Sequence, residues 1–177
     1  MDKIANPLQA IGELLAGRAQ PVVTPDRLAP SAIYDLQYRM AVTASAFEMH
    51  AKPHGLNQRR IHAARLKLLQ FVACRPRLLA VLRNWSQAQH DAQLSIATSQ
   101  RLRRGFLGDQ MHEDVVAFLV ARGILAWSGS HVATGPGSDW LTQLHSATVE
   151  QGVFAIERDV LEKLRDVRIT NAMLEGW

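Results

Sequence analysis

The chain has 177 residues, 47% of them hydrophobic, which suits a single domain with a real core, or one domain with helical extensions. Its single cysteine, Cys74, excludes an internal disulfide and a cysteine-based zinc site, and its apolar runs are too short and interrupted for a transmembrane helix. The net charge of +4 conceals an asymmetry: residues 51–104 hold eleven Lys/Arg against one acid, Asp91, so a basic middle lies between acidic ends.

Residues 4–16 read as a short amphipathic helix with Leu8, Ile11 and Leu15 on one face. Glu13 inside that stretch argues against a signal peptide, and a soluble protein of a reducing cytoplasm fits best. Pro21, Pro25 and Pro30 mark a surface connection. Ser31 reads as an N-cap, and Ile33, Leu36, Met40, Ala44 and Phe47 recur at helical spacing, so a helix is predicted over 31–50. Asn57 reads as a second N-cap, opening an amphipathic helix over 58–74 with Ile61, Leu66, Leu69 and Val72 on its apolar face. Pro76 ends that helix and opens another over 76–85. Residues 86–104 read as helical with a basic end, Arg101-Leu102-Arg103-Arg104.

Residues 107–141 are the most informative stretch. A helix over 107–122 stops at Gly123, a natural residue for the position after a C-cap. Strands are predicted at 124–127 and 131–134, joined by Ser128-Gly129-Ser130, with Trp127 anchoring the hairpin to the core. Gly135-Pro136-Gly137 then breaks the chain before a helix over 139–149, where Trp140 packs as the chain leaves the hairpin. A helix feeding directly into a small hairpin is the ending of a winged helix-turn-helix, a module that binds DNA or docks protein. A last long helix starts near Gln151, with Val153, Ile156, Val160, Leu164 and Val167 as its buried stripe. Arg158/Glu162 and Asp159/Lys163 are spaced to pair on its outer side.

The expected fold is therefore mainly α: a winged helix-turn-helix-like helical domain with one small β-hairpin and a long C-terminal helix. Residues 1–30 form an N-terminal helix and Pro-rich connection, 31–150 the helical body, and 151–177 the C-terminal helix and its tip.

Arg59, Arg60, Lys67, Arg101, Arg103 and Arg104 are the candidate nucleic-acid contacts, because arginine and lysine neutralise phosphates and release counterions. The competing reading is a solvated face that pairs with this chain's own acids or with an acidic subunit. A helix that reads base edges carries Arg, Lys, Asn or Gln in its N-terminal half. The helix over 107–122 carries Asp109, Gln110, His112, Glu113 and Asp114 there, and the acids repel phosphate. His112-Glu113-Asp114 point in different directions on a helix, so they read as an exposed first turn favoured by the helix dipole, not as a metal site. Cys74 beside Arg75 and Arg77 is either an activated thiol or, as more small buried cysteines are, an inert apolar residue. Gly135-Pro136-Gly137 lacks the Lys-Ser/Thr of a phosphate loop, and no nucleophile motif occurs. No catalysis, cofactor, metal, membrane or small-molecule substrate is expected. Ile169, Met173, Leu174 and Trp177 carry an apolar face to the last residue, and form either a partner-docking tip or a tip folded back onto this domain.

A short Asn6-Pro7-Leu8 segment precedes the helical body. The stretch LGDQMHEDVVAFLVARGILAWSGSHVATGPGSDWLTQL then leads to a long helix with an apolar tip. In this layout the chain resembles the small middle components of bacterial ABC three-component systems, including the Lamassu-type antiphage systems. The resemblance implies a winged-helix, kleisin-like subunit beside an SMC/Rad50-like ATPase and an effector, often a nuclease, with no catalytic residues of its own. It implies an antiviral-defence role in which the ATPase senses DNA and this subunit relays to the effector or restrains it. DNA, if touched, is expected to be bound without sequence preference, because a basic surface without a base-reading helix contacts phosphates only. The expected function is a non-enzymatic adaptor. The alternative is a free-standing, dimeric winged-helix transcription regulator.

Overall fold

The computed structural model describes residues 35–87, 100, 102–167, 169 and 174; the expectations for 1–30, Ser31, Arg101, Met173 and Trp177 lie outside them. The described chain runs α1 (Leu36–His50), β1 (Lys52–Pro53), β2 (Arg59–His62), α2 (Ala63–Ala73), α3 (Leu78–Gln87), a helical segment at 102–107, α4 (Gln110–Ala121), β3 (Leu125–Ser128), β4 (His131–Thr134), α5 (Asp139–Glu150) and α6 (Ala155–Lys163). It is mainly helical, with one small antiparallel sheet of strand order β1-β2-β4-β3. Among the described residues no helix is long and apolar enough to cross a membrane.

Helix α1 opens at Leu36, later than the sequence pattern indicates. The Asp35 carboxylate accepts a hydrogen bond from the Tyr38 N–H at 3.0 Å, and so caps the first turn. Every residue from Tyr38 to Phe47 is buried, Arg39, Thr43 and Ser45 included. A helix buried all round sits at the centre of a domain. Here α2, α4, α5 and α6 all pack on α1, and Ala41, Ala44 and Ala46 let them come close.

Residues 59–62 form a strand, which corrects the helix predicted from 58 onward. Arg60, Ile61 and His62 pair with Ala133, Val132 and His131 of β4. Ile61 and Val132 point into the core, while the strand's period of two sends Arg60 and His62 to the opposite face. Pairing across the fold outweighs local helical periodicity here. Asn57 is not a cap: it takes a left-handed backbone (φ 64°) in the connection between β1 and β2.

The helix predicted over 107–122 is also divided. The segment at 102–107 ends where the Gly108 N–H bonds to the Arg104 carbonyl (3.2 Å), and α4 begins at Gln110. Its far end falls at Gly123, as the sequence indicates. The N–H of Gly123 (φ 68°) bonds to the Val120 carbonyl, and that of Ile124 to the Leu119 carbonyl, both at 2.9 Å, which is a Schellman ending. Ser128 pairs with His131, leaving Gly129-Ser130 as a two-residue hairpin turn. Leu125 carries the hairpin's anchoring contact; Trp127, expected to do so, is 53% exposed. After the hairpin, the N–H groups of Gly135 and Gly137 bond back to the carbonyls of Ile124 and Gly123, each at 2.9 Å. A Cβ at position 135 would stand 2.3 Å from the Gly123 carbonyl oxygen, so this crossing requires glycine.

Helix α6 spans nine residues, in place of the long helix expected from 151. The chain turns first, with Phe154 left-handed (φ 57°), before α6 starts at Ala155. Val160, Leu164 and Val167 of the expected stripe are buried, whereas Ile156 is exposed. Asp159 and Lys163 form their ion pair. Arg158 does not join Glu162; it donates to the carbonyls of Thr148 (2.6 Å) and Val153 (2.7 Å), tying α6 to the end of α5. Glu162 takes Arg165 instead, at 2.8 Å.

Candidate functional site

Three arrangements carry the polar chemistry of the described chain: a buried charge node beneath α4, the exposed face of α4, and a cationic cleft at one end of the sheet.

At the node, the fully buried guanidinium of Arg39 on α1 donates to the carboxylate of Asp109, the residue preceding α4. Arg75 reaches the other oxygen of the same carboxylate at 3.3 Å and lies over the Phe71 ring, 4.4 Å from its centroid. Beside it, His112 Nδ1 donates to Gln70 Oε1 at 2.7 Å. Gln70 Nε2 in turn donates to the Thr43 hydroxyl and, at 3.1 Å, to the Arg39 carbonyl. Burial drives the His112 imidazole down to about 4, so it is neutral at pH 7 and serves as a donor. Asp109 and His112 thus belong to the interior, which corrects the expectation that the whole first turn of this helix faces solvent. Tyr38 adds a further tie by donating to Glu157 of α6 at 2.8 Å, and burial raises its phenol far above the ordinary value.

With Asp109 and His112 turned inward, α4 exposes Gln110, Glu113, Asp114, Ala117 and Ala121. Its outer face is therefore acidic and small. Glu113 is half exposed and holds Lys67 at 2.9 Å.

The candidate nucleic-acid contacts do not form one surface. Arg59 is bonded to Glu48 and lies over the Phe47 ring at 5.7 Å, while Lys67 is held by Glu113 and sits 5.1 Å from the Phe106 centroid. Both are thus neutralised within the chain. Arg103 and Arg104 are exposed on the segment at 102–107.

Arg60 has a different setting. It lines a cleft of about 290 Å³ with His50, Lys52, Pro53, Ile61, His62, Arg65 and His131. Among the described residues no carboxylate lines this cleft. The antiparallel register sets Lys52 beside Arg60 and His62 beside His131, with the two imidazoles edge to face at 5.2 Å. Its histidines and Lys52 carry no individual signal in the sequence; the pairing of β2 with β4, across about 70 residues, brings His131 to His62, and the pairing of β1 with β2 brings Lys52 to Arg60.

Ile169 and Leu174, placed by sequence in a docking tip, are buried in the chain's own core. Cys74 is buried, and burial pushes its thiol up despite Arg39 and Arg75 nearby, so it is the inert apolar residue. Among the described residues no group of three or more His, Cys, Asp or Glu is placed to hold a metal. Comparison of the chain with family models, with curated proteins and with solved structures gives no match.

Proposed function

We propose that the chain is a non-enzymatic winged-helix adaptor that docks protein through α4, and that its partners are an SMC/Rad50-like ATPase and the effector of a DNA-sensing antiphage complex. The winged-helix reading is supported by the order α1, β2, α2, α4, β3, β4, with β4 between β2 and β3; β1, α3 and the segment at 102–107 are then additions to that pattern, and α4 would take the place of the recognition helix. The observation that carries the docking reading is the face α4 offers. Glu113 and Asp114 point outward where a base reader needs donors and positive charge. This weighs against the free-standing transcription regulator, which depends on that helix. The identity of the partners rests on the resemblance to the middle components of ABC three-component systems.

The reading requires an SMC/Rad50-like ATPase encoded beside the chain, and is tested by co-expressing the two and measuring the mass of the purified complex; the absence of such a gene would count against it. A stoichiometric complex that lacks hydrolytic activity of this chain's own is the expected result. A homodimer that protects one defined DNA sequence, with no ATPase bound, would overturn it.

A further inference from the structure

We propose that the cleft between β1, β2, β4 and the start of α2 seats adjacent backbone phosphates of a nucleic-acid strand, held chiefly by Lys52 and Arg60 with His62 and His131. The site is separate from the α4 face, so it neither needs the adaptor reading nor fails with it.

Charge is the first argument. Between Glu48 and Asp91 the sequence contains no acid and eight Lys/Arg, and the fold concentrates part of that run in one concavity. Internal pairing is the second. Arg59, Lys67 and Arg75 from the same run each meet a carboxylate of this chain, whereas among the described residues no carboxylate pairs with Lys52 or Arg60. Arg65 donates to the Ile169 carbonyl at 3.4 Å and His50 Nε2 to the Leu161 carbonyl at 2.9 Å, so these two shape the wall while Lys52 and Arg60 supply free charge. Glu162 lies near enough to His50 to act on it from the other side.

The histidines supply the third argument. Nδ1 of His62 is buried with no hydrogen-bond partner among the described residues. Partial burial, and then Arg60, His62 and His54, hold the His131 imidazole below its ordinary value. Lys52 and Arg60, set side by side by the register, gain when an anion enters between them. The first turn of α2 adjoins the cleft with no acid and no side-chain cap, and its positive dipole end acts in the same direction. A nucleic-acid strand is favoured over a small phosphate because the cleft has no glycine-rich loop to enclose a free ligand. Lys52 and Pro53, which line it, are both exposed, so a chain can pass through.

The experiment measures anisotropy of a labelled mixed-sequence oligonucleotide, single-stranded and duplex, against salt. It uses the full chain, Lys52→Gln/Arg60→Gln, and Arg103→Gln/Arg104→Gln. Wild type is expected to bind without sequence preference, log K falling with log salt at a slope of roughly −2 to −3 for two or three phosphate contacts. The cleft variant should bind at least tenfold more weakly and lose about two of those slope units. The Arg103/Arg104 variant should stay within about threefold of wild type, since isolated surface cations contribute little. As a readout independent of the variants' folding, the His131 imidazole of wild type should titrate at higher pH when DNA is saturating. Unchanged affinity in a folded cleft variant, or an unmoved His131, would overturn the proposal. So would saturation by inorganic phosphate without DNA binding, or tighter binding of an acidic peptide than of DNA.

Discussion

Arg39 and Asp109 meet in the interior, the guanidinium of one fully buried and its partner carboxylate 94% or more covered, joining the central helix to the start of α4. Two charges removed from water hold each other only while both are present. Asp109→Ala leaves Arg39 charged and unpaired, and is expected to cost about 3 to 5 kcal/mol. Urea denaturation measures this. A hydrophobic pair, Arg39→Met with Asp109→Leu, should recover most of the loss; if the single variant costs under about 1 kcal/mol, the node does not hold α4 in place.

His112 makes stability depend on pH. Its folded value of about 4 lies below its ordinary 6.5, so the unfolded chain takes up a proton first. The contribution is complete above pH 6.5 and is lost as pH falls toward 4, amounting to about 3 kcal/mol at most. His112→Gln should flatten that part of the stability profile while keeping a polar contact to Gln70. An NMR titration placing the His112 imidazole near 6.5 would contradict the assignment.

Gly135 crosses the Gly123 carbonyl with no room for a methyl group. Gly135→Ala is expected to cost about 1 to 3 kcal/mol through overpacking, and to loosen the hairpin. Hydrogen exchange at the amides of β3 and β4 reports the loosening. Wild-type protection in the variant would show that the crossing relaxes freely.

Trp127 gives a contrasting expectation. Because it is half exposed, Trp127→Ala should change stability by less than about 1 kcal/mol, whereas Leu125→Ala should cost about 2 to 5. A thermal melt comparing the two separates an exposed hairpin residue from a core anchor.

The features legible in the sequence are those with local causes. Gly123 stops α4 because a left-handed residue is needed there, and the Ser128–Ser130 region turns because two residues suffice to reverse a strand. Strand β2 was not legible, since Ile61 fits a helical stripe as well as a strand and its partner Val132 is remote in sequence. Arg39 gave no warning either: it sits among apolar neighbours, and its burial follows only once Asp109 is brought to it. The cleft depends on the same missing information. Arg60 was identifiable as a cation, but His62, His131 and Lys52 become its neighbours only through the sheet register.

The central claim, that α4 docks protein, is tested most directly by the affinity of the proposed ATPase partner for the chain carrying Glu113→Lys and Asp114→Lys. Both side chains are exposed, so the variant should melt near the wild-type temperature. Isothermal titration should show affinity reduced at least tenfold, as expected when charges at a contact are reversed. Wild-type affinity in the folded variant, or new sequence-specific DNA binding through the recharged helix, would contradict the account.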